Sequence, residues 1–163
     1  MPEKNWRPLA GRAAGGSARW VGTAPRRPAG GGWFAVGAVL GALGVAAGAY
    51  GSHALPPSTA ALFEIGVRYH LIHALALLGV GYAARQWPGR SPGLAGWLFL
   101  IGIGLFSGGL YLRAVTNGAG IPGAPPVGGL SLIAGWAVLA SAPFGAGRRD
   151  GVATRVRPNR RLP

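Results

Sequence analysis

Four ionisable side chains lie within one apolar stretch, FEIGVRYHLIHALALL, and they are Glu64, Arg68, His70 and His73. Glu64 and Arg68 are four residues apart, so they share one face of a helix, with the acid on the N-terminal side of the base. Tyr69 lies one helical turn before His73, and the two histidines are three residues apart. Groups of this kind can pair, carry protons or bind metals, and they are costly to place in hydrocarbon.

Two interpretations of these residues stay open at the level of sequence. Glu64 and Arg68 form a structural ion pair near the outer membrane surface, or they are polar groups on an ion or proton path, because intramembrane ionisable residues are functional candidates by default. His70 and His73 are neutral side chains that hydrogen-bond across a helix bundle, or they belong to the same path. Tyr69 is the one partner that local spacing offers to His73.

We expect no metal site, no cofactor and no enzymatic activity. His53, His70, His73 and Glu64 offer ligand types that suit zinc or copper, but the i, i+3 spacing of the two neighbouring histidines is not the i, i+4 spacing of a zinc-binding helix. The chain has no cysteine, which excludes thiolate ligands and disulfides. It also has no phosphate-binding loop, no dinucleotide-binding motif and no nucleophile–base pair.

The elements that must position these residues are four apolar runs, at about 33–52, 60–84, 94–112 and 126–144. A helix of about 20 residues crosses the hydrocarbon core, and the apolar character extends all round each run. Only 12% of the 163 residues are charged, against about 25% in soluble domains. The sequence therefore predicts an all-α integral membrane protein with four transmembrane helices in an up-down-up-down bundle, over residues 32–145.

Basic residues flank the apolar runs and account for the net charge of +13. Residues 1–31 and 146–163 are rich in Arg, Pro and Gly without an apolar period, so we predict two disordered basic tails. Placing both termini and the loop at 85–93 in the cytoplasm leaves only Arg113 near the outer surface, as the positive-inside rule requires. Beyond Trp6 and Trp20, the tails have no aromatic residues that could form a base-stacking surface, so we expect the lipid bilayer, and not nucleic acid, as the partner.

Glycines at four-residue spacing occur in the first and third runs: Gly37, Gly41, Gly44, Gly48, Gly104 and Gly108. Small residues at this spacing let helix backbones approach closely inside a membrane. Two alternatives follow, packing within one subunit or a homo-oligomer, because the spacing does not say whether the partner helix belongs to the same chain.

Four motifs, in order along the chain, resemble a known family: GALGVAAGAYGSHAL, FEIGVRYHLIHALALL, FSGGLY and PVGGLSLIAGW. Over about 33–144 the chain is similar to the small membrane proteins of domain-of-unknown-function family 423, the YgdD/YwdK-like group. The positions that match the family's pattern are His53, Tyr69, His73, Ser107, Gly108, Tyr111, Pro126, Gly128, Gly129 and Trp136. Gly109 departs from the pattern, because the family more often has a serine there.

The resemblance implies a four-span protein of the bacterial plasma (inner) membrane, and it implies no established activity. With the charge distribution, it gives the expectation of a multi-pass protein whose N and C termini are cytoplasmic. We expect a structural or accessory membrane protein. The alternative is a small oligomeric channel or transporter that uses the polar cluster of the second run.

Overall fold

The computed structural model describes residues 30–145, which form four long helices. They are α1 (Gly31–Ala54), α2 (Pro57–Gln86), α3 (Ser91–Val115) and α4 (Ala124–Ala140). No strand occurs between residues 30 and 145, so the all-α prediction is confirmed for this part of the chain. The two predicted basic tails lie outside the described residues, apart from the last two positions of the first one.

Three of the helices are long and apolar enough to cross a membrane. α1, α2 and α3 have 24, 30 and 25 residues, and at 1.5 Å per residue even the shortest is about 36 Å long. α4 is apolar but has only 17 residues, about 25 Å, at the lower end of the range for a span. It ends before the predicted boundary at residue 144, because the chain turns at Ser141 and continues as one further helical turn at 142–145.

Prolines and short connections set the helix starts and directions. Pro57 is the first residue of α2, and Pro92 and Pro125 lie in the first turns of α3 and α4, where a missing backbone N–H costs no hydrogen bond. Only residues 55–56 join α1 to α2, and 87–90 join α2 to α3. Neighbouring helices linked in this way run antiparallel.

α1 packs on α2 through glycines that recur every seven residues, and they are Gly30, Gly37, Gly44 and Gly51. A Cβ atom at Gly37 would lie 2.8 Å from the carbonyl oxygen of Ala74, and one at Gly51 would lie 2.7 Å from the Phe63 ring. These approaches are open only to a residue without a side chain. A seven-residue repeat is typical of the left-handed packing of two helices.

The four-residue glycine pattern is therefore used only in part within the chain. A Cβ at Gly48 would lie 3.3 Å from the Val67 side chain, but a Cβ at Gly41 or at Gly104 would meet no other part of residues 30–145 within 4 Å. Gly108 comes near only to a carbonyl of its own helix, at 4.0 Å. The physical reason is the register of the two helices. α2 packs along the glycines that repeat every seven residues in α1, and Gly41 lies beside this line of contact.

α3 and α4 meet through a second set of glycines that four-residue spacing did not predict. Gly102 of α3 lies against Leu132, and Gly128 of α4 lies against the backbone at Phe106. A Cβ at Gly135 would lie 2.6 Å from the Phe99 ring. Together with the buried side chains of α2, these contacts form the core, whose fully buried members are Leu77, Val80, Ala95 and Phe99.

A π-helical segment at Ile103–Ser107 interrupts α3. Its Gly108 N–H donates to the carbonyl of Ile103, five residues back. In a regular helix, Tyr111 and Phe99 would point in directions about 120° apart around the helix axis. The extra residue of the π segment reduces this angle to about 20°. Both rings consequently face α2, where Phe99 packs on His73 and Tyr111 on His70.

Gly37→Ala should destabilise the protein, whereas the matched change Gly41→Ala should not. The new methyl group at position 37 meets backbone atoms that cannot move aside, so we expect a loss of about 1–3 kcal/mol in the free energy of unfolding. The measurement is thermal or denaturant unfolding of both variants in the same detergent. Equal stability of the two variants would contradict the α1–α2 register described above.

Candidate functional site

His73 lies buried at the centre of the bundle, where three helices meet. Its Nδ1 atom is 2.7 Å from the carbonyl oxygen of Tyr69, one turn back on α2. Its Nε2 atom is 3.1 Å from Nε1 of Trp136 on α4. The ring also packs on Phe99 of α3, with centroids 5.6 Å apart. His73 thus joins α2 to both of the later helices.

The partners of His73 determine its protonation. An indole nitrogen only donates, so Trp136 gives its hydrogen to Nε2, which must be unprotonated. A backbone carbonyl only accepts, so Nδ1 carries the hydrogen and donates it to Tyr69. His73 is therefore the neutral Nδ1–H tautomer with both ring nitrogens satisfied, as buried polar groups should be.

His70 forms a second polar contact between α2 and α3. Its Nδ1 atom is 3.2 Å from the hydroxyl oxygen of Tyr111. Room for this contact comes from Gly66, where a Cβ would lie 2.8 Å from the Tyr111 ring. The other side of the ring faces α1, because a Cβ at Gly44 would lie 3.5 Å from its Cδ2 atom.

Two buried polar atoms in this region have no hydrogen-bond partner among residues 30–145, namely Nε2 of His70 and Oγ of Ser107. The Leu40 carbonyl of α1 approaches the His70 ring, but no bond of normal geometry to Nε2 is formed. Ser107 is fully buried at the end of the π segment. A buried polar atom without a hydrogen bond lowers the free energy of unfolding. Hydrogen bonding is therefore least complete around His70 and Ser107.

Glu64 and Arg68 lie on the exposed surface of α2 and do not form the expected ion pair. Glu64 is seven residues after the start of α2, about 10 Å along the helix. The long Arg68 side chain can extend towards the same end of the helix. Both charged side chains are therefore exposed on the N-terminal half of α2.

The remaining predicted residues, Tyr69 and His53, are both exposed, and Tyr69 also contacts His73. Tyr69 is 41% exposed and stacks on His73 and packs on Phe106, with centroids 6.1 and 4.6 Å away. His53 is exposed in the last turn of α1. Within the described part of the chain, no three of the His, Cys, Asp and Glu residues come together as metal ligands would.

The described arrangement can be compared with known proteins. The family described as "Protein of unknown function (DUF423)" matches residues 47–129, which is about half of the chain and includes α2 and α3. This chain belongs to that family. No solved structure matches it.

Relatives in the family are named only as membrane proteins. The UPF0382 membrane protein YwdK of Bacillus subtilis is 38% identical over 109 residues, 64% of this chain and 89% of the relative. The UPF0382 membrane protein SH2409 of Staphylococcus haemolyticus is 33% identical over 113 residues, 67% of this chain and 92% of its own length. The UPF0382 inner membrane protein YgdD of Escherichia coli K12 is 33% identical, over 63% of this chain and 81% of its own.

As a member of DUF423, the chain is a membrane protein of a family without an assigned activity, and its relatives are bacterial. Neither the names nor the family description refers to an enzyme. The family range contains His70, His73 and Tyr111, while Trp136 lies seven residues beyond it. The polar contacts of α2 are thus mostly, but not wholly, inside the matched region.

The sequence did not predict which side chains hydrogen-bond to His70 and His73. Tyr111 and Trp136 were identified only as positions that match the family's motifs, and both turn out to touch a histidine of α2. The available signal was their residue type. Tyr and Trp each carry one polar atom on a large apolar ring, and that atom usually finds a hydrogen-bond partner; His70 and His73 are polar residues within the apolar second run.

The tautomer of His73 is a direct test of its contacts. Histidine nitrogen chemical shifts of the protein in a bilayer, measured by solid-state NMR, should show His73 as the neutral Nδ1–H form. In Trp136→Phe the Nε2 atom loses its donor, so we expect its resonance to shift while the Nδ1–H signal stays. A charged His73, or an Nε2–H tautomer, would contradict the hydrogen-bond assignment.

Proposed function

We propose that this protein is a structural or accessory four-span protein of the bacterial inner membrane, without enzymatic activity, whose buried histidines hold the bundle closed. The observation that carries the proposal is the geometry of His73. Both of its ring nitrogens bond to protein atoms, and one of these bonds reaches α4, 63 positions away in the sequence. A side chain saturated in this way serves packing, since no lone pair or hydrogen is left for a ligand.

Further contacts support the same role. Besides His73, the Ser131 hydroxyl on α4 donates to the carbonyl of Leu98 on α3 at 2.8 Å, and His70 contacts Tyr111 across α2 and α3. Interhelical hydrogen bonds of this kind contribute about 0.6 kcal/mol each on average. Three of them, each between a different pair of helices, fix the relative positions of α2, α3 and α4.

A transport path receives no comparable support. Two surface cavities, of about 670 and 220 Å³, are lined by residues at the inner ends of the helices, and Glu64, Arg68, His70 and His73 line neither of them. Charged groups on a path should face a water-filled cavity. Glu64 and Arg68 instead lie on the outside of α2.

The proposal includes the topology. α4 is counted as the fourth span, because 17 apolar residues are at the lower limit for crossing. Both termini are then cytoplasmic, which is favoured by the excess of basic residues there. Trp33 and Trp97, whose rings meet edge to face at 5.7 Å, would lie together at the inner interface, where aromatic belts form. The lipid bilayer is the partner that this role requires.

Single cysteines can test the four-span topology, because the chain has none of its own. With a membrane-impermeant maleimide, Ser58→Cys and Ala119→Cys should be labelled in intact spheroplasts. Gly89→Cys and Gly145→Cys should be labelled only after lysis. Labelling of position 145 in intact spheroplasts would show that α4 does not cross the membrane. The cysteine-free parent chain is the control for background.

Ion flux tests the role of the polar residues. Purified protein in liposomes that contain a pH-sensitive dye should conduct protons no faster than protein-free liposomes. The physical reason is that both ring nitrogens of His73 are already hydrogen-bonded to protein atoms. A flux that His73→Phe or Glu64→Gln abolishes, and that Trp97→Phe leaves unchanged, would overturn the structural role in favour of a channel or transporter.

A further inference from the structure

A groove of about 670 Å³ lies between the start of α1 and the end of α2. Its lining includes Phe34, Leu78, Gly81, Tyr82, Arg85 and Gln86. The helices touch here backbone to backbone, because a Cβ at Gly81 would lie 2.9 Å from the carbonyl oxygen of Gly30. The missing side chains leave a wedge of open space beside the contact, on the outside of the bundle.

The groove changes from apolar to cationic along α2. Leu78 and Phe34 form its deeper wall, and the Phe34 ring is 58% exposed. About 10 Å further along the helix, at the rise of 1.5 Å per residue, Arg85 ends the groove. There the Gln86 amide donates to the Tyr82 hydroxyl at 2.8 Å. A phospholipid has the same order of groups, from acyl chain through glycerol to phosphate.

The positive charge of Arg85 at the groove favours an anionic ligand. Glu64 is the one acidic residue in the described range and lies near the opposite end of α2, about 30 Å from Arg85 along the helix axis. A free anion would neutralise Arg85 but leave Phe34 and Leu78 uncovered. The chain segment before Gly30 carries Arg26 and Arg27, so its charge is of the wrong sign.

We infer that this groove binds an anionic phospholipid, with the phosphate at Arg85 and an acyl chain along Phe34 and Leu78. The lipid belongs to the inner leaflet; the assignment of the leaflet, but not of the lipid, rests on the proposed topology. A cation near the membrane surface contributes to binding of anionic lipids, and the apolar wall fixes where the lipid lies.

The test is native mass spectrometry of the detergent-purified full chain, titrated with phosphatidylglycerol or with phosphatidylcholine of the same acyl chains. Phosphatidylglycerol should bind more tightly. Arg85→Gln should weaken its binding about fivefold, the effect of one cation near the surface, and leave phosphatidylcholine unchanged. Arg90→Gln is the matched control, because Arg90 is exposed near the same end of the bundle but lies outside this groove.

Three results would overturn the inference. They are equal binding of the two lipids, equal effects of Arg85→Gln and Arg90→Gln, and displacement of phosphatidylglycerol by excess inorganic phosphate, which would assign the groove to a free anion. Arg85 is exposed, so its variant should keep the parent melting temperature, and measuring that temperature separates lost lipid binding from lost folding. The assay is done in detergent and so does not depend on the orientation in the membrane.

Discussion

Lipid gives apolar helices little reason to associate, and this constraint explains most of the structure. Because acyl chains solvate leucine as well as a neighbouring helix does, association must come from close packing and from polar contacts. The chain uses the two devices in different places. α1 is held on α2 by glycines at seven-residue spacing, from Gly30 to Gly51. α2, α3 and α4 are joined in addition by hydrogen bonds of His73, His70 and Ser131.

The polar residues of α2 therefore have two different roles, according to the face on which they lie. His70 and His73 point into the bundle and are buried, where a neutral, hydrogen-bonded ring is the form that an apolar surrounding tolerates. Glu64 and Arg68 are exposed on the N-terminal half of the same helix. The π segment of α3 supports the first pair, because it turns Phe99 and Tyr111 towards the same helix. Among the buried side-chain nitrogen and oxygen atoms of residues 30–145, only Nε2 of His70 and Oγ of Ser107 have no hydrogen-bond partner.

The sequence predicted the helices well, because length and hydrophobicity are local properties: the runs at 33–52, 60–84 and 94–112 lie inside α1, α2 and α3. It predicted the contacts less well. Glycine spacing identified Gly37 and Gly44 but also Gly41 and Gly104, which contact no neighbouring helix within the described residues, since spacing alone does not give the register of the partner helix. The Glu64–Arg68 pair was expected from i, i+4 geometry, but both side chains are exposed, and an exposed ion pair gains little free energy. Trp136 could not be assigned to His73 by any local rule, because 63 positions separate them.

The bond between His73 and Trp136 can be tested by a double-mutant cycle, measured as unfolding free energies in bicelles. The variants are His73→Phe, Trp136→Phe and the double variant, which keep an aromatic ring at each position and remove the polar atoms. We expect each single change to destabilise the protein and the two changes to be coupled by about 0.6–1.7 kcal/mol. Additive effects, or single variants as stable as the parent, would show that this hydrogen bond does not hold the bundle together.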